Sequence, residues 1–288
     1  MTAFLETLGK RVAERWLELI LLPGVFWVAV AILAWKRVFN TRALTDLIAT
    51  KPSPTVVAAL LIAASAAGLV ATGLGTTTRR LALLRGHWWP ARVLTTLRRW
   101  RWRRADRKVT AAVAAAVRAA PPNTATVITG PQVADRLARR DAVALEPPER
   151  PTWTADQWRA LSVRVHRAYG LELTLTWPRL WSVLPEHLRI TIATAQNSYV
   201  VASTLSGWAL LYGVLGVRWW PALPIALAVL VVSLVRTRAA TATLCALVES
   251  AADLHGRDLA IQLGLEPSGP LSISDGEEIS GRLRKDEL

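Results

Sequence analysis

The four longest stretches without an Asp, Glu, Lys or Arg are residues 19–35, 52–78, 190–217 and 219–235. Wound as an α-helix at 1.5 Å per residue, the shortest of them extends about 26 Å, close to the ~30 Å hydrocarbon core of a bilayer. Core helices of soluble domains are usually shorter and keep a polar stripe. The pattern therefore predicts four transmembrane helices. In the two longer runs the apolar centres fall at 55–75 and 199–217. Trp35, Trp219 and Trp220 stand at run ends, where an amphipathic ring suits the headgroup level. Arg218, Trp219, Trp220 and Pro221 make a link too short to recross a membrane, so the last two helices form an antiparallel hairpin.

Between the second and third runs the pattern changes. Pro90 suits a first helical turn, and Val93, Leu97 and Trp100 then share one face. Residues 111–120 are Ala-rich and helical, 126–129 are β-prone, and 133–140 read as a helix. Pro147, Pro148 and Pro151 mark a linker. Thr154 with Gln157 has the spacing of a capping box ahead of a helix to Tyr169, with Gly170 as its stop. Leu171, Leu173, Leu175 and Trp177 alternate with polar residues, which predicts a half-buried strand ending at Pro178. Pro185 opens the helix that becomes the third span. After the fourth span, 239–265 read as a helix with Leu244, Leu247, Val248, Ala251 and Leu254 on one side and Glu249, Asp253 and Arg257 in solvent, closed by Gly264.

The expected architecture is a mainly α integral membrane protein with four transmembrane helices, a small α/β cytoplasmic loop domain and a cytoplasmic C-terminal helix. Its segments are an amphipathic N-terminus at 1–18, spans at 19–35, 52–78, 190–217 and 219–235, and a basic Arg/Trp segment at 79–108. The small domain covers 109–189, the C-terminal helix 236–265, and a flexible acidic tail 266–288.

Composition sharpens this picture. The chain of 288 residues is 52% hydrophobic and only 19% charged, yet its net charge is +14. So apolar a chain is not disordered, and one cysteine cannot form an intrachain disulfide. With alternating spans, 30 of the 35 Lys and Arg fall on one side and five on the other, which predicts cytoplasmic termini and a cytoplasmic loop. An Ala-x-Ala triplet at 29–31 sits inside an apolar run that continues past it, so the first span is expected to stay uncleaved. The last four residues, Lys285 to Leu288, spell a lumenal retrieval signal on a tail placed in the cytoplasm. The thirty Arg against five Lys suit a high-GC bacterial coding bias, and the tetrapeptide is read as coincidence.

From Arg79 to Lys108 there are eleven basic residues and one acid, Asp106, interleaved with Trp88, Trp89, Trp100 and Trp102. A helix with an aromatic edge and arginine flanks suits the membrane interface, each basic residue contributing about 1 kcal/mol near anionic lipid. Arg98, Arg99, Trp100, Arg101, Trp102, Arg103 and Arg104 are the expected contacts for anionic lipid or an acidic protein partner. Nucleic acid is disfavoured, because no recognition fold accompanies the block. Trp177, Arg179 and Trp181 are expected to seat the cytoplasmic module where the third span begins.

Signals for chemistry are sparse. His87, His166, His187 and His255 have no second His or Cys at ligand spacing, and Asp253, His255 and Asp258 read as solvated helix surface. Cys245 lies within an apolar pattern and reads as a buried thiol. No nucleophile elbow, phosphate loop or dinucleotide fingerprint occurs, so no enzyme, cofactor or metal is expected. The spans hold no ionisable residue, whereas Ala64, Gly68 and Thr72, with Ser203 and Gly207, suit close helix packing within one chain or between copies. The expected role is a membrane-anchored scaffold or partner-binding protein, the alternative an oligomeric channel or transport-associated subunit.

The segments Gly86-His87-Trp88-Trp89-Pro90, Tyr169-Gly170-Leu171 with Trp177-Pro178-Arg179-Leu180-Trp181, and Leu247-Val248 with Asp253-Leu254-His255 resemble a group of uncharacterised multi-pass membrane proteins from actinobacteria and related bacteria. The resemblance implies a bacterial plasma membrane and brings no activity with it.

Overall fold

The computed structural model describes residues 21–36, 53–84, 89–119, 130–267 and 269–284. Among these residues every regular element is a helix: α1 Leu22–Lys36, α2 Pro54–Leu83, α3 Trp89–Ala119, α4 Pro131–Asp141, α5 Trp153–Tyr169, α6 Leu173–Val183, α7 Glu186–Arg218, α8 Ala222–Gln262 and α9 Ile273–Leu283. The chain divides into two compact units, one from Met1–Leu81 with Asn197–Thr237, the other from Ala82–Gln196 with Arg238–Leu288.

The first unit is built on close backbone approaches. A Cβ on Gly75 would lie 2.8 Å from the Ser203 carbonyl oxygen, and one on Gly207 would overlap the Ala71 carbonyl, so α2 and α7 meet through glycine. Thr78 and Ser206 hydroxyls pair at 2.6 Å beside this contact. Gly24 brings α1 equally close to Ala64 of α2. Ser233 donates from α8 to the Ala202 carbonyl of α7 at 2.9 Å, closing the expected hairpin. Val30, Ala67, Ala71, Trp208, Tyr212 and Ala226 form the core. Ala64, Ala67, Gly68, Ala71 and Gly75 are the buried positions of α2, so small-residue packing is spent inside the chain, along a stripe displaced from the expected Thr72.

Ile62, Leu69, Val214, Leu227 and Val235 point outward from this unit, exposed as lipid-facing residues are. α2, α7 and α8 are long and apolar enough to cross a membrane, and the chain has the character of a mainly α membrane protein. The expected count of four spans is not met among the described residues. α1 has 15 residues, about 22 Å of helix against a ~30 Å core. Residues 1–18, like the β-prone 126–129 and the final tetrapeptide, lie outside the described residues.

The second unit corrects the α/β expectation, because no strand occurs among the described residues. Residues 171–177 alternate, but Leu173, Thr176, Leu180 and Leu184 also recur at helical spacing and are buried, as is Leu171 just ahead of the helix. Seven residues are too few for the alternation to exclude the longer period. Pro178 is accommodated inside α6. Two further boundaries move. The cap of α5 is Thr152, whose hydroxyl accepts from the Ala155 amide at 3.2 Å, while Thr154 is already inside the helix. α8 runs without interruption from the apolar span through the expected C-terminal helix. Its buried stripe is Thr241, Leu244, Cys245, Val248, Ala251, Ala252, Leu259 and Ala260, whereas Leu254 is exposed.

The tail expected to be flexible instead carries α9. Ser272 and Asp275 form a reciprocal capping box, and Ile279 is fully buried in the core with Leu161, Leu171, Leu180 and Leu259. Helix α5 ends at Gly170, φ +68°, and the α9 backbone lies against this corner with Gly276 at the Tyr169 carbonyl. The Glu172 amide donates to Ser280 Oγ at 3.0 Å, and Arg284 pairs with Glu172. A composition of Pro, Ser, Gly and acids concealed one buried isoleucine and one glycine able to touch backbone.

Candidate functional site

The seven expected contacts, Arg98 to Arg104, lie on α3, and its helical period sorts them into two faces. Arg98, Arg99 and Trp102 turn toward the second unit's own backbone. Arg98 Nη2 donates to Asp156 Oδ2 at 2.8 Å and to the Val143 carbonyl at 3.2 Å. The Asp156 side chain is only 4% exposed, and its other oxygen accepts from the Glu149 and Arg150 amides at 3.0 and 2.8 Å. One carboxylate thus ties α3, the 149–150 turn and the first turn of α5. Burial lowers the Arg98 guanidinium pKa, the charge and hydrogen bond of Asp156 oppose that, and arginine stays protonated. Arg99 Nε donates to the Pro148 carbonyl at 2.7 Å, and Trp102 Nε1 to the Ala144 carbonyl at 2.9 Å.

Trp100, Arg101, Arg103 and Arg104 are on the exposed side. The Arg104 guanidinium lies over the Trp100 ring, 5.5 Å from its centroid. Trp89, Val93, Leu97 and Trp100 share this outward face, each more than half exposed. Farther along, α3 and α4 enclose a groove of about 790 Å³. Arg101, Arg104 and Lys108 line it from α3, Arg136 and Arg139 from α4. Its one carboxylate, Asp135, already pairs with Arg139 at 2.9 Å. Arg136 Nη1 donates to the Lys108 carbonyl at 3.2 Å, which fixes the two walls together. Such a site attracts anions, above all phosphates that arginine can grip with two donors.

No family model, curated protein or solved structure matches the chain. The site therefore has to be read from its own chemistry. Sequence reasoning reached the α3 residues but missed Asp156, Arg136 and Arg139. The α4 signal was present, because Gln132, Asp135, Arg136 and Arg139 have the i, i+3, i+4, i+7 spacing of one helix face.

The second expected group is brought together in part. Trp177 and Trp181 pack on the second unit's core with ring centroids 5.9 Å apart. Arg179 turns to its own helix and donates to the Leu175 carbonyl at 2.9 Å. Elsewhere, His255 Nδ1 lies 2.9 Å from Asp258 Oδ2 on α8, and no cluster of three metal-ligating side chains occurs among the described residues.

Proposed function

We propose that the chain is a membrane-anchored scaffold or partner-binding protein of a bacterial plasma membrane, whose second unit is seated on anionic headgroups by the outward face of α3. One observation carries this reading. Trp89, Val93, Leu97 and Trp100 are exposed in one stripe, and Arg101, Arg103 and Arg104 follow it directly. An interfacial helix sinks such a stripe among acyl chains and leaves its cations at the phosphates. The excess of Lys and Arg in 79–189 supports a cytoplasmic position for this unit. The α7–α8 hairpin agrees with it, returning the chain to the side from which it entered.

The arginines that matter for seating are the outward ones, because Arg98 and Arg99 hold the unit together. Changing Arg101, Arg103 and Arg104 to Gln in the full chain, reconstituted in vesicles containing phosphatidylglycerol, should weaken seating on the order of a hundredfold, from about 1 kcal/mol per cation. Proteolysis of the 82–196 region should then be as fast as in phosphatidylcholine vesicles. Protease protection equal to that of the unmodified chain would defeat the proposal.

A further inference from the structure

The outward stripe of α3 does not end at the last apolar residue. Val93, Leu97, Trp100, Arg101, Arg104 and Lys108 follow one another at three- and four-residue steps along a single face, apart from the adjacent pair at 100 and 101. The stripe begins apolar and runs into the cationic groove against α4. Five cations line that groove with one carboxylate, itself committed to Arg139. Arg101, Arg104 and Lys108 form no ion pair with any described carboxylate. Unneutralised like charges around a common concavity repel one another, and an anion placed among them removes that repulsion. The Trp100 ring holds the Arg104 guanidinium at the junction of the apolar and cationic parts. Arg136, anchored on the Lys108 carbonyl, presents its remaining donors from the opposite wall.

We propose that the groove between α3 and α4 is a binding site for the phosphate of an anionic phospholipid headgroup, with Arg136 and Arg139 of α4 completing a cradle begun by Arg101, Arg104 and Lys108. Acyl chains of the same molecule extend over Trp100, Leu97 and Val93. This assignment rests on the seating of α3 at the membrane, and it adds a defined lipid held by two helices. The order of the stripe selects a lipid over a soluble phosphate, because a soluble ligand makes no use of apolar residues leading into the site.

The test uses the full chain in phosphatidylcholine nanodiscs doped with phosphatidylglycerol, and native mass spectrometry to count anionic lipid retained on release. The unmodified chain should retain it, whereas Arg136→Gln with Arg139→Gln should lower apparent affinity about thirtyfold. Arg136→Lys with Arg139→Lys should restore most of the loss, while Arg107→Gln with Arg118→Gln, outside the groove lining and the seating face, should leave retention intact. Inorganic pyrophosphate at matched concentration should displace little of the lipid. Retention by the α4 glutamine variant equal to the unmodified chain would overturn the site. Binding of pyrophosphate as tight as that of the lipid would overturn the lipid assignment. Both failures are separable from failure of membrane seating, because Arg136 and Arg139 are not among the three arginines changed in the protease experiment.

Discussion

Asp156→Asn is expected to cost the second unit about 3 kcal/mol, the low end of what breaking a buried ion pair costs when one partner stays behind. The substitution leaves the Arg98 guanidinium, 16% exposed, with no carboxylate beside it, and weakens the acceptor for the Glu149 and Arg150 amides. Arg98→Met should cost less. It leaves Asp156 with two backbone donors at the start of α5, where a carboxylate is favoured by the helix dipole. Thermal unfolding of the full chain in detergent, followed by circular dichroism, reads both. Equal midpoints for Asp156→Asn and the unmodified chain would remove the pair from the account of this unit.

Gly276→Ala is expected to release α9 from the α5–α6 corner at a cost of about 2 kcal/mol, within the range for forcing extra atoms into a packed site. A Cβ at this position overlaps the Tyr169 carbonyl oxygen, and backbone on both sides leaves no flexible side chain to give way. Gly281→Ala on the same helix is the control, since a Cβ there meets nothing within 4 Å. Limited proteolysis should therefore cut near α9 faster in the first variant and no faster in the second. Acid acts in the same direction. Hydrogen bonds from Ser272 hold the Asp275 carboxyl below its ordinary value. The cap's contribution is thus complete above the unfolded aspartate pKa of about 3.9 and lost as pH falls through the lower folded value.

Much of the membrane-facing architecture was legible because it is written in long, redundant runs. Twenty-seven uncharged residues at 52–78 survive any local ambiguity, and α2 covers nearly all of them. Short elements were not legible for the opposite reason. The segment 171–177 satisfies period two and period 3.6 at once, and only the pocket waiting for Leu173, Thr176 and Leu180 decides between them. At the site, a basic run showed that α3 carries cations but not which of them are spent indoors. That division required Asp156, 58 residues from Arg98. The groove likewise depends on Arg136 and Arg139 folding back beside Lys108, a contact between helices separated by residues 120–130.

The central claim is that the outward stripe of α3 lies in the membrane interface when the lipid is anionic. A fluorophore attached through Leu97→Cys in the reconstituted full chain tests it directly. Cys245 does not compete for the label, because it is buried at 1% exposure. In vesicles containing phosphatidylglycerol at low salt, the label should be quenched by nitroxide-bearing lipid and shielded from aqueous iodide. In phosphatidylcholine vesicles, or at high salt, the pattern should reverse. Iodide quenching that is equally strong in both lipid compositions would contradict the account.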